Sequence, residues 1–168
     1  MNNRRFLAGF ALVLAASAAM AGDGKDFSMG IHGNARTEPA DVGLPVYAGA
    51  VPWKDGSDDK AGVSFGAWAG GFGLQIHALK FRSAASPERV AAFYVKALGR
   101  YGEVLDCREP ANRIKPPKDS DRLSCETSEP RAGTLEYRVG TVKSFRVVSV
   151  KPDGEGSRFD MASIDLRF

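Results

Sequence analysis

The chain is poor in the side chains that catalysis usually draws on. It has two histidines, His32 and His77, and two cysteines, Cys107 and Cys125, in 168 residues. The cysteine spacing matches neither a Cys-x-x-Cys redox motif nor a zinc pattern. No apolar run after residue 21 approaches the roughly 20 residues of a membrane-spanning helix, which excludes a later helical anchor. There is little charge of either sign in excess, 23 basic against 20 acidic residues. Arg4 and Arg5 lie in a leader-like start, so the remainder is close to neutral and offers no electrostatic case for nucleic acid. No internal repeat is present.

What is present begins with that leader. Asn2, Asn3, Arg4 and Arg5 form a short cationic start, Phe6 to Met20 is apolar, and Ala19-Met20-Ala21 supplies a small-x-small site. This pattern predicts an export signal over residues 1–21, cut after Ala21, and a periplasmic or secreted protein. No cysteine follows the run, which argues against the lipid-anchored form of export. The remaining 147 residues suit one domain with a real core. In an oxidising compartment Cys107 and Cys125 read as one disulfide, stabilising the fold by ~3 kcal/mol in the chain-entropy model.

Residues 22–43 are Gly-rich and polar with no hydrophobic period, and are expected to be a flexible arm. The domain is expected over 44–168, starting with an extended or turn segment, Leu44 to Ala50. Lys54 to Lys60 reads as an exposed polar loop. Val63, Phe65 and Ala67 alternate, as do Leu74, Ile76 and Ala78 beyond Gly70-Gly71, which predicts a β-hairpin. Ser86-Pro87-Glu88 is a helix start. Val90, Phe93, Tyr94, Ala97 and Leu98 then form one apolar stripe, with Gly102 as the stop. Glu103–Cys107, Arg122–Glu126, Thr134–Val139, Phe145–Lys151 and Arg158–Phe168 read as strands. The fold class this predicts is α+β: an antiparallel sheet of about five to seven strands with one amphipathic helix on one face.

Three segments, Leu44-Pro45-Val46-Tyr47-Ala48-Gly49-Ala50, Ser86-Pro87-Glu88-Arg89-Val90-Ala91-Ala92-Phe93-Tyr94 and Val147–Pro152 with Gly154 and Gly156–Phe159, resemble a group of small exported bacterial proteins. That group has a Tyr-Pro-Gly-Ala-like entry, a Ser-Pro-Glu-x-Val-x-x-Phe-Tyr-like helix and a C-terminal hairpin. The chain departs from it at Ala48, where the group has proline. The resemblance implies fold and compartment and carries no activity.

Candidate chemistry is sparse. Gly62-Val63-Ser64-Phe65-Gly66 has the letters of a nucleophile elbow, but its serine lies within an alternating strand with no helix after it. His77 is either a packing residue or, with neighbouring carboxylates, the base of an envelope hydrolase. Asp55, Asp58 and Asp59 miss the calcium-loop register. Arg113–Lys118 reads as an exposed, proline-stiffened loop. Trp53, Trp68 and Phe72 are the candidate ligand or partner surface, because aromatics beside glycines at a hairpin tip expose flat apolar area. No catalytic, metal or cofactor set is assigned. The expected function is a non-catalytic binding or accessory module, its partner an envelope protein or a small apolar ligand; a structural role in an envelope assembly is the other non-enzymatic reading.

Overall fold

The two alternating runs around Gly70-Gly71 pair with each other, as the glycine pair between them predicts. The computed structural model describes residues 29–128 and 132–168, so the leader lies outside the described residues. Among these, the strands are β1 (Met29–Asn34), β2 (Val51–Pro52), β3 (Gly62–Ala69), β4 (Phe72–Ser83), β5 (Leu105–Asp106), β6 (Leu135–Gly140), β7 (Ser144–Asp153) and β8 (Gly156–Arg167). The helices are a single turn, α1 (Pro39–Val42), and α2 (Pro87–Leu98).

All pairings are antiparallel, in the order β1-β3-β4-β8-β7-β6-β5, with β2 on the far end of β4. The sheet therefore has eight strands. Two of them, β1 and the two-residue β2, come from segments that show no alternation. Antiparallel registry brings Leu79, Phe81, Phe159, Met161, Val148 and Val150 onto one face, and α2 packs there through Val90, Ala91, Tyr94 and Leu98. Phe81 stacks on Phe159 at 5.5 Å and Tyr94 leans on Phe159 at 5.2 Å. Burying each large apolar side chain of this set stabilises the fold by ~1.5–3 kcal/mol before entropy is charged.

Helix α2 follows its sequence signals with two differences. Ser86 takes the extended N-cap conformation, but its hydroxyl makes no capping bond. The chain also tightens into a 3-10 turn over Gly99–Tyr101 before stopping at Gly102, whose φ of 136° favours glycine. Phe93 is half-buried at the edge of the core rather than within it.

Of the expected arm at 22–43, residues 22–28 lie outside the described residues, and the described part is corrected. Residues 29–43 carry β1 and α1, and Val42 is fully buried. Arg146 Nε donates to Val42 O at 3.0 Å, Ser163 Oγ donates to Asp41 O at 3.3 Å, and the Tyr101 hydroxyl donates to Gly43 O. These long-range ties hold a segment whose composition alone reads as loose. The expected strand at 122–126 is also corrected: only an isolated bridge, Arg122 to Thr141, forms there. Cys107 and Cys125 are joined and fully buried, so the disulfide ties the end of β5 to a loop.

Candidate functional site

Period-two alternation gives the sheet two unlike faces. The face opposite α2 carries Val63, Ala78, Ala162 and Val147 in one cross-strand row and Phe65, Ile76, Ile164 and Phe145 in the next. Ala67, Leu74 and Leu166 extend it, and Ile31 adds β1. Ile31 is 75% exposed and Val63, Phe65 and Phe72 are exposed as well. No described helix covers this face. On one side the disulfide-tied excursion bounds it, since Arg138 Nη1 donates to Ser124 O at 3.0 Å and to Thr127 Oγ1 at 3.3 Å.

The small side chains Ala78 and Ala162 leave a hollow of about 490 Å3 in this face, walled by Val63 and Val147. Its charged end holds Lys80, Asp59 and Asp160. Lys80 and Asp59 form an ion pair, and that hydrogen bond lowers the Asp59 pKa to about 2. Asp160 is pushed the other way: burial raises its pKa, against the attraction of Lys151, Lys80 and Arg158. Trp53 caps this end, with the Arg158 guanidinium 4.5 Å and the Lys80 ammonium 5.7 Å from its ring centre.

Beyond the reach of α2, the inner face is polar. There Thr37 Oγ1 lies 2.8 Å from Ser64 Oγ, Ser64 Oγ lies 2.7 Å from His77 Nδ1, and Gln75 Nε2 lies 2.8 Å from His77 Nε2. His77 thus joins Ser64 and the Gln75 amide through its two ring nitrogens, and Ser64 joins His77 to Thr37. The partner on the second ring nitrogen is an amide, where a serine-activating histidine has an orienting carboxylate. The elbow-like serine does meet a histidine, a contact given by the Ser64–His77 pairing in the β3–β4 register. No carboxylate is among the hydrogen-bond partners of His77 in the described residues. No group of three or more His, Cys, Asp or Glu converges among the described residues as a metal site would require.

The three aromatics singled out from sequence do not form one surface. Phe72 and Trp53 lie at opposite ends of the uncovered face, about 27 Å apart along β4 at ~3.4 Å per residue. Trp68 projects from the other face. Its indole leans over Gly30, and the His32 ring covers Gly66, so these glycines seat aromatic rings from neighbouring strands. The two rings lie 5.8 Å apart. The apolar rows run without a break across β3, β4, β8 and β7. Their alternation is legible in the sequence, but which of the two faces the helix covers is not.

No family model, curated protein or solved structure matches this chain.

Proposed function

We propose that this chain is an exported, non-catalytic binding or accessory module that works through the uncovered face of its sheet. The observation that carries the reading is the pair of apolar rows, Val63-Ala78-Ala162-Val147 and Phe65-Ile76-Ile164-Phe145, running across four strands with a hollow at their centre. Monomeric surfaces rarely leave so continuous an apolar area without a partner. The hollow falls within the ~300–1,000 Å3 of a small-molecule site. At its charged end Lys80 pairs with Asp59 and Lys151 with Asp160, beside Lys60, and an apolar protein surface or an apolar small molecule would sit on the apolar rows next to them. The cationic and apolar start of the chain and the buried Cys107–Cys125 disulfide support a periplasmic or secreted setting. The Gln75 amide on the second nitrogen of His77, where a hydrolase has a carboxylate, favours this reading over a hydrolase.

The test uses a hydrophobic fluorescent dye and residues 22–168. Dye should bind saturably to the wild type and weakly to the double variant Phe65→Gln, Ile164→Gln. A photocrosslinker at position 65 should capture an occupant from the cell envelope, and one at Arg89, on the exposed side of α2, should not. Equal dye binding by both proteins, with crosslinking equal at both positions, refutes the assignment of this face.

A further inference from the structure

We propose that the opposite face carries a second site, beside the hairpin tip, that holds a single pyranose ring of a saccharide. The register builds it. Trp68, Gly73 and Arg167 stand in line across β3, β4 and β8, and Gly66, Gln75 and Asp165 stand in the next row. Gly73 has no side chain, and the indole of Trp68 leans away from it over Gly30. A hollow of about 190 Å3 results, lined by Trp68, His32, Gln75, Asp165 and Arg167 around Gly73. Strands two apart in a sheet are separated by about 10 Å, room for one ring between Trp68 and Arg167. The volume is well below the ~300 Å3 floor of drug-sized sites, so it fits one ring and not an extended apolar molecule.

The chemistry of the walls selects the class. A pyranose has patches of apolar C–H groups, which suit the half-exposed Trp68 side chain at one wall. Its rim is a ring of hydroxyls, each both donor and acceptor. Asp165 spends one carboxylate oxygen on Ser144 Oγ at 2.6 Å and keeps the other for a hydroxyl. Arg167 makes no ion pair among the described residues, and its guanidinium has five donors to offer. Asp165 on the wall opposes a phosphate or a carboxylate. One carboxylate and one imidazole are too few ligands for a metal. A neutral sugar ring suits this mixed apolar and polar lining.

This site borders the uncovered face at Ala67 and Leu74, and its test keeps the two apart. Residues 22–168 are titrated with methyl β-glucopyranoside, methyl β-galactopyranoside and N-acetylglucosamine, following tryptophan fluorescence and ligand-detected NMR. Cyclohexanol serves as the ring without a hydroxyl rim. At least one sugar should bind saturably with a millimolar dissociation constant, and cyclohexanol should not. Gly73→Val fills the hollow; the Cβ it adds meets only the Arg167 Cβ, at 3.7 Å, an ordinary contact. That variant and Trp68→Ala should weaken binding at least about tenfold. Phe65→Gln, on the other face, should leave it unchanged. Absence of saturable binding up to about 50 mM, equal binding of cyclohexanol, or a folded Gly73→Val protein that binds normally overturns the proposal.

Discussion

The indole of Trp68 lies across Gly30 on the adjacent strand so closely that any β-carbon there would fall inside the ring. The edge strand β1 is attached to the sheet partly through this seat. Gly30→Ala should push the indole out and loosen β1, costing ~1–3 kcal/mol as overpacking does elsewhere. Gly71, at the hairpin tip, has open space where its Cβ would be. Gly71→Ala should therefore shift the urea midpoint little. Equal midpoints for the two variants would show that the seat contributes nothing.

This contact also explains what the sequence left illegible. Gly30, Gly33, Gly66 and Gly73 depress every local score for regular structure, and residues 22–43 read as loose for that reason. Their role appears only when strands distant in sequence are brought together. β1 and α1 are held by Trp68, Arg146, Tyr101 and Ser163, all well beyond them in the chain. Helix α2, the β3–β4 hairpin and β6 to β8 were legible because their periodicity is local. The disulfide was legible from an even, minimal cysteine count, but its anchoring on a loop was not. The apolar rows of the uncovered face were visible as alternation on each strand. Their coherence across four strands needed the register.

Ser64 and His77 provide a sharper test, because they hold the spacing of a catalytic pair with an amide, Gln75, in place of the orienting carboxylate. The folded protein should fail to react with a fluorophosphonate probe. Ser64→Ala should cost about 1 kcal/mol of stability, the usual net value of a lost hydrogen bond. Labelling at Ser64 that disappears in His77→Ala would reverse the assignment and make the pair a nucleophile and its base.

Breaking the Cys107–Cys125 bridge should matter more than any single polar contact. Its sequence separation is 18 residues, and both sulfurs are buried. The double serine variant should lose about 3 kcal/mol in the chain-entropy model. The change should appear as a lower urea midpoint and as earlier proteolysis within residues 108–128. Unfolded, unreduced wild type should show no free thiol. Two titratable thiols would contradict the bridge.

Acid should act on the two aspartates of the uncovered face in opposite directions. Asp59 has its pKa lowered to about 2 by Lys80, so its contribution is present above the ordinary carboxylate value. That contribution is lost as pH falls toward about 2. Asp160 has a raised pKa because burial penalises its charge, so its ionised form opposes folding. The penalty is absent below the ordinary carboxylate value and sets in as pH rises through the raised one. Asp160→Asn should thus be more stable than wild type at pH 7 and equal to it at about pH 3, where both side chains are neutral. The groups facing Asp160 are Lys80, Lys151, Arg158 and Asp59, and each is unchanged in that variant. The measurement is the difference in urea midpoint between the two proteins across that range. A difference that grows on acidification would mean that the three cations outweigh burial, and that Asp160 stabilises the face as a charged group.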